Sequence, residues 1–335
     1  MKLSKLSPIV LTLIADVVLF STFLASPVGA QQMTAPPKPM KFCAGSTGGN
    51  YTFAAKEIAQ RITSTSMFPV IDIVTTDGSL ANLRGLLDGS CDLGFAQSDV
   101  ADLFRIEKPG SLSVLYPFKT IYNEYTQILC PTASGWTKLT DLGEARKKGV
   151  PVKMIVGKDG TGTAETWRAI RQANPESYDK IERNPMSVDI EAASKVKDSK
   201  DTCMIWVSGL NSGDMQAAND SSIRTRSRKP SLALISIDDA AIYDIKDANG
   251  QPIYTKETVT AQAPQKDKPG IYNNLIQDRG GFFSTDNSVT VATVRAELMT
   301  TNAYRESIKD KSRNIVTQIE DAQPTIWNRV NPSQQ

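Results

Sequence analysis

Residues 41–99 read KFCAGSTGGNYTFAAKEIAQRITSTSMFPVIDIVTTDGSLANLRGLLDGSCDLGFAQSD, and their pattern indicates the fold class. Apolar runs at residues 41–44, 70–74 and 93–96 predict three strands. Apolar residues recur at helical spacing over 51–62 after the first run and over 80–87 after the second. Strand, loop and helix therefore alternate, which predicts an open parallel α/β sheet with right-handed crossovers.

All three predicted strands end in polar turns. Residues 45–50 are Gly-Ser-Thr-Gly-Gly-Asn, residues 75–79 are Thr-Thr-Asp-Gly-Ser, and residues 97–99 are Gln-Ser-Asp. In open α/β sheets, ligands bind outside the carboxyl ends of the strands. We therefore expect a ligand site at this edge, where free N–H groups of helix N-termini suit a carboxylate or phosphate. Taken alone, the first loop is equally typical of an ordinary βα turn, and Ser79 is expected to cap the second helix.

The same unit recurs later in the chain. Residues 150–156 predict a strand, and residues 157–163 form the turn Gly-Lys-Asp-Gly-Thr-Gly-Thr before a helix. This turn lacks the GK[ST] ending of a Walker A loop, so no ATP site is expected. Its N–H groups suit an anion, and an ordinary Gly-rich turn with a Thr cap is the alternative. Further strands are predicted at 202–207 and 288–294, with residues 296–327 mostly helical. Because 335 residues exceed the usual size of one domain, a second α/β domain is expected.

The composition excludes several classes of protein. The chain has no histidine, which removes Ser-His-Asp triads, Cys-His pairs and HExxH zinc sites. The net charge of +2 gives no basis for binding nucleic acid. No nucleophile motif surrounds the candidate serines, so no enzymatic activity, catalytic residue, cofactor or metal is expected.

The N-terminus has the three-part layout of a secretory signal peptide. Two lysines precede an apolar run at residues 9–24, and Val28-Gly29-Ala30 supplies small residues for cleavage. We therefore expect residues 1–30 to be a signal peptide, cleaved near Ala30 on export to the periplasm. Asp16 interrupts the apolar run, and an uncleaved N-terminal anchor is the alternative.

The four cysteines are Cys43, Cys91, Cys130 and Cys203. An even number in an exported chain favours disulfides, and their spacing matches no zinc pattern. Four cysteines allow three pairings. We favour Cys43–Cys91 with Cys130–Cys203, because each pair then closes within one proposed domain; four free buried thiols are the alternative.

Six blocks of sequence carry a resemblance to a known family. They are FCAGSTGGNYTFAAKEIAQRI, VTTDGSLANLRGLLDGSCDLGFAQSDVA, IYNEYTQI, KLTDL, IVGKDGTGTAETW and VTVATVRAELMT, and they span roughly residues 40–320. In this order they resemble the TAXI-type substrate-binding receptors of tripartite ATP-independent periplasmic (TRAP) transporters. The resemblance implies a two-lobed periplasmic-binding-protein fold of type II, with hinge strands between two α/β domains. One lobe is then expected to hold residues 36–127 and 238–335, and the other residues 128–237.

The resemblance also implies a function and a site. The ligand is expected to be a small organic anion or a glutamate- or glutamine-like amino acid, bound between the lobes and delivered to membrane permease subunits driven by an ion gradient. The implied ligand-binding residues are Ser46, Thr47, Gly48, Tyr51, Ser79, Asn82, Gln97 and Asp99 in the first lobe, and Thr161, Gly162, Thr163, Trp206 and Ser208 in the second. The alternatives are an exported receptor that signals without transport and an enzyme built on the same two-lobed scaffold.

Overall fold

The structure is a computed structural model, and it describes residues 38–65, 70–222, 230–262, 271–277 and 286–331. The predicted signal peptide lies outside these residues. Within them, no helix combines the length and apolar character that a membrane span requires.

The described chain alternates strands and helices. The strands are β1 (Met40–Cys43), β2 (Ile71–Val74), β3 (Leu93–Gln97), β4 (Leu115–Pro131), β5 (Lys153–Ile155), β6 (Glu182–Asn184), β7 (Thr202–Ser208), β8 (Leu232–Ile235), β9 (Thr255–Thr260) and β10 (Ser288–Thr301). The helices are α1 (Asn50–Ser64), α2 (Ser79–Asp88), α3 (Ser98–Glu107), α4 (Leu139–Lys147), α5 (Gly162–Ala173), α6 (Pro175–Tyr178), α7 (Ile190–Lys197), α8 (Gly213–Ser221), α9 (Ala240–Tyr243), α10 (Asn302–Ser307) and α11 (Lys309–Val330).

One mixed sheet organises the chain, with the strand order β2-β1-β3-β10-β4-β7-β5-β6. At one end, β1 pairs in parallel with both β2 and β3. At the other end, β5 pairs in parallel with both β6 and β7. The long strands β4 and β10 pair with each other in antiparallel fashion and join the two parallel ends. The predicted two-lobed α/β class with hinge strands is therefore confirmed.

We call the β1–β3 end with α1–α3 the first lobe, and the β5–β7 end with α4–α8 the second lobe. In the first lobe, apolar residues of α1 such as Ile58 pack with Phe42, Phe95 and the buried face of α11. In the second lobe, Trp167 and Met154 belong to one buried cluster. These clusters follow the helical and strand periodicities of the sequence.

The segment that leads into β9 and β9 itself pack with the second lobe. Tyr254 shares a buried cluster with Trp167, and Val259 of β9 shares one with Trp206. β9 pairs with the N-terminal half of β10, from Ser288 to Thr293. The predicted division at residues 127/128 and 237/238 stays a prediction, and this packing favours a return crossing later, within β10.

Two details of the secondary structure differ from the prediction. Ser79 is the first residue of α2, and Gly78 takes the cap position with a φ of 114°. The Ser79 hydroxyl instead accepts a hydrogen bond from the Gln97 N–H. Residues 296–301 were predicted as helix, yet they extend β10, because they pair with β3 on one side and β4 on the other. Tertiary pairing here overrides a local preference for helix.

The four cysteines form Cys43–Cys91 and Cys130–Cys203, so the favoured pairing is confirmed. The first bridge joins the end of β1 to Cys91, which lies shortly before β3, with 5.7 Å between the Cα atoms. The second joins the neighbouring strands β4 and β7, with 4.3 Å between Cα atoms. The first bridge therefore lies within the first lobe, and the second joins the hinge strand β4 to the second lobe.

Candidate functional site

A cavity of about 600 Å³ lies between the two lobes. Both lobes contribute walls to it, together with the hinge strand β4. The lining residues are 45–51, 76–79, 97, 124, 157–158, 161–163, 187–188, 206–208 and 212–214. Its volume is in the range of pockets that enclose small-molecule ligands.

Four helix N-termini meet at this cavity. Helices α1 and α2 begin there from the first lobe, and α5 and α8 begin there from the second. The caps of α1 and α2 are Gly49 and Gly78, which offer no side-chain acceptor to the first N–H groups. Thr161 and Ser212 cap α5 and α8 through their hydroxyls. The first turns of helices carry unpaired N–H groups and the positive end of the helix dipole, so the cavity suits a negatively charged group.

The loop before α1 is held in one shape by its own hydrogen bonds. The carbonyl of Ser46 accepts from the Gly49 N–H at 3.1 Å and from the Thr52 hydroxyl at 2.9 Å. Gly48 has a φ of 86°, a conformation that favours glycine. The Tyr51 ring stacks on Phe95 with 5.0 Å between ring centroids. Sequence and packing together therefore fix the wall that the first lobe presents.

The lobes approach each other most closely through glycines. A Cβ built on Gly78 lies 3.8 Å from the backbone nitrogen of Gly162. A Cβ built on Gly162 would collide with the Gln97 side chain, whose Oε1 is buried without a hydrogen-bond partner. Only glycine at position 162 permits this approach of the second lobe to the first.

Glu124 is a buried site residue that sequence reasoning missed. It lies on β4, is only 4% exposed and lines the cavity. The Tyr51 hydroxyl donates a hydrogen bond to its Oε2 at 2.8 Å. Burial raises the pKa of Glu124 to about 8; the charge of Asp99 adds to the rise, and hydrogen bonds from Tyr51 and Gln97 oppose it. In the sequence, Glu124 could have been noticed as a lone carboxylate within the apolar, aromatic run that forms the hinge strand β4.

The remaining charged residues of the lining are few. They are Lys158, Asp77 and Asp214. Lys158 and Asp77 are exposed, and burial raises the pKa of Asp214. No arginine lines the cavity in the described part of the chain. Helix N-termini are therefore the main source of positive potential. No cluster of metal-ligating side chains was found in that part of the chain either.

Most of the residues predicted to bind ligand line this cavity. They are Ser46, Thr47, Gly48, Tyr51, Ser79, Gln97, Thr161, Gly162, Thr163, Trp206 and Ser208. The structure thus brings together the predicted residues of strand ends that are far apart in sequence, as expected for carboxyl ends of strands in an α/β sheet.

Asn82 and Asp99 are not part of the lining. The Asn82 amide donates to the carbonyls of Ala44 and Phe95, and its Oδ1 accepts from the Thr76 hydroxyl. Asp99 accepts from the hydroxyls of Thr166 and Tyr254. Both side chains are fully buried, so their polar atoms hold elements of the protein together. Position near a strand end could not distinguish these roles.

Comparison with protein-family models matches residues 42–272 to the NMT1-like family, which is more than half of the chain. The chain belongs to the NMT1-like family. No curated protein sequence matches it.

Solved structures similar to this NMT1-like chain have low sequence identity. One is described as a periplasmic transporter; it has 13% identity and a TM-score of 0.47, with 88% of this chain and 84% of that chain covered. An ABC-type phosphate transport receptor from Vibrio cholerae has 10% identity and a TM-score of 0.45, with coverages of 86% and 96%. The periplasmic aliphatic sulphonate binding protein SsuA from Escherichia coli has 12% identity and a TM-score of 0.48, with coverages of 88% and 75%.

Proposed function

We propose that this NMT1-like protein is an exported solute-binding receptor that captures a small anion or zwitterion between its lobes. The observation that carries the proposal is the meeting of four helix N-termini, two from each lobe, at one cavity. Because each terminus offers unpaired N–H groups and positive potential, an anion there binds without needing an arginine.

The lining also supports a ligand with an organic part. Hydroxyl and amide groups of Ser46, Ser79 and Gln97 supply hydrogen bonds, whereas the rings of Tyr51 and Trp206 supply apolar surface. A cavity of about 600 Å³ has room for a molecule the size of an amino acid or a dicarboxylate. The resemblance to TAXI-type receptors favours a glutamate- or glutamine-like ligand, in agreement with this mixture of groups.

The proposed mechanism is closure of one lobe over the other. The ligand first binds the N–H groups of α1 and α2, and the turn at Thr161–Thr163 then closes from the second lobe, with β4 and β10 bending as the hinge. Because Gly162 has no side chain, the backbone of α5 can come close to the Gln97 side chain in this closed state. Ligand contacts in both lobes make the closed state the tighter one.

We further propose a periplasmic location and a membrane partner. The layout of residues 1–30 supports export through a cleaved signal peptide, and two disulfides agree with an oxidising compartment. The resemblance to TAXI-type receptors supports delivery of the ligand to TRAP permease subunits driven by an ion gradient.

A thermal-shift screen tests the proposal. The mature protein, freed of co-purified ligand by unfolding and refolding, is screened against sulfate, phosphate, methanesulfonate, succinate, L-glutamate and L-glutamine. A ligand present at 100 times its Kd is expected to stabilise the protein by about 2.7 kcal/mol. Absence of a shift with every anion and amino acid would contradict the proposal, and turnover of a bound ester would favour an enzyme instead.

A further inference from the structure

Glu124 places an acidic side chain inside a cavity built for anions. It is 4% exposed, lies on the hinge strand β4, and shares the lining with all four helix N-termini. The Tyr51 hydroxyl donates a hydrogen bond to its Oε2 at 2.8 Å. No lysine or arginine pairs with it among the described ion pairs.

Among the residues that the structure describes, the elements packed around Glu124 offer it no full positive charge. From α1 it faces Tyr51, from β3 the neutral amide of Gln97, and from α3 the carboxylate of Asp99. Tyr122 lies on its own strand, and Val294 of β10 is its partner in the sheet. Across the cavity the charged lining residues are Asp77, Lys158 and Asp214.

An anion in this cavity and an ionised Glu124 oppose each other. Two negative charges within a poorly hydrated space repel strongly, and the usual resolution is that one carboxyl keeps its proton. A protonated Glu124 removes the repulsion and offers an O–H donor to the anion, while the Tyr51 hydroxyl satisfies the other carboxyl oxygen. The two states of Glu124 therefore differ in their affinity for an anion.

We propose that the cavity binds its anion together with a proton on Glu124, so that ligand affinity is coupled to pH through this one carboxyl. The inference rests on the proposed function, because it requires that an anion enters the cavity. Burial raises the pKa of Glu124 to about 8, so the proton is already present at neutral pH and is lost on moving to alkaline solution.

The composition makes this coupling open to measurement. The chain has no histidine, and all four cysteines are in disulfides. The side chains that ordinarily titrate between about pH 6 and 9 are therefore absent or blocked. Burial also raises the pKa of Asp102 to about 6, but Asp102 lies outside the lining, so a change of affinity above about pH 7 has few other sources in the protein.

The test measures the Kd of sulfate, methanesulfonate and L-glutamate by calorimetry between about pH 6 and 9, for the wild type and Glu124→Gln. For the wild type we expect a constant Kd up to about pH 7 and a loss of about tenfold per unit above pH 8. For Glu124→Gln we expect binding without this pH dependence, because the amide is neutral at every pH and still donates a hydrogen bond. Glu297→Gln, which alters a buried glutamate of β10 outside the lining, is expected to keep the wild-type profile.

A second measurement uses the wild type alone, so that it stands even if Glu124→Gln folds poorly. At pH 8, binding heats in Tris and in triethanolamine, two cationic buffers of different ionisation enthalpy, are expected to show uptake of about half a proton per bound anion. An anion that binds with a flat pH profile and no proton uptake would overturn this inference and leave the receptor function intact. Binding of none of the three probes at any pH would remove the proposed function and this inference together.

Discussion

The hydroxyl of Thr166 donates a hydrogen bond to Asp99 at 2.6 Å, joining α5 of the second lobe to α3 of the first. The Tyr254 hydroxyl donates to the same carboxylate oxygen at 2.9 Å. Burial raises the pKa of Asp99, and these hydrogen bonds partly offset that rise. A residue predicted to touch the ligand is thus a contact between the lobes behind the cavity.

Removal of this acceptor is expected to weaken the fold. Asp99→Ala leaves the Tyr254 hydroxyl without its acceptor and should lower the free energy of unfolding by about 1–3 kcal/mol in urea denaturation. Asp321→Ala, at an exposed position of α11, is the control and should change the stability by no more than about 0.5 kcal/mol. A loss of ligand affinity in Asp99→Ala at unaltered stability would instead place Asp99 in the binding wall.

The two disulfides are expected to stabilise the fold and not to shape the cavity. Cys130→Ala with Cys203→Ala opens a bridge that spans 73 positions of sequence and should cost about 2–4 kcal/mol of unfolding free energy. Neither cysteine lines the cavity, so the Kd of a ligand identified by the screen should stay the same. A reductant should destabilise the wild type by more than it destabilises this variant, because the variant keeps only Cys43–Cys91.

The first lobe was predictable because its signals are local. The helical spacing from Tyr51 to Ile62 and the polar turns after each strand depend on neighbours in sequence, and the structure reproduces them. The strand character of residues 296–301 depends on β3 and β4, which pair with them from distant parts of the chain. Glu124 became recognisable only when packing showed that its carboxyl faces the cavity. The periodicity of a single sequence does not reveal which distant strands pair or in which direction a side chain points.

Gly162 is expected to control how closely the lobes approach each other. In Gly162→Ala the added methyl would meet the Gln97 side chain, so closure should become less favourable and ligand affinity should fall by about tenfold. Gly213→Ala is a matched control, since Gly213 also lines the cavity and a Cβ there has no heavy atom within 4 Å. In a double-mutant cycle, Gly162→Ala should reduce ligand affinity less in the Gln97→Ser background than in the wild type, because the shorter Ser side chain leaves room for the added methyl. Equal losses of affinity in the two backgrounds would count against closure at this contact.

A carboxylate built into the cap of α1 is expected to compete with the ligand. Gly49 has no side chain to cap the helix, and its φ of −70° suits any residue. Gly49→Asp should therefore satisfy the first N–H groups and lower anion affinity by about tenfold or more. Gly49→Asn supplies a neutral cap of the same size. Its Cβ makes the same close approach to Ser46, 3.2 Å from the backbone oxygen, so this variant isolates the effect of charge. Equal Kd values for the two variants would argue that the anion does not bind at this helix terminus.

The pH dependence of stability provides a test of Glu124 that needs no ligand. Its pKa is raised to about 8 in the folded protein and is near 4.5 in an unfolded chain, so between these values the folded state holds the extra proton. Stability from this group is therefore fully present below about pH 4.5, falls as the pH rises towards 8, and is level above that. Glu124→Gln should become progressively more stable than the wild type between these limits in urea unfolding, by an amount that stops growing near pH 8. A constant difference between Glu124→Gln and the wild type across the range would mean that Glu124 titrates as an ordinary glutamate in the folded protein.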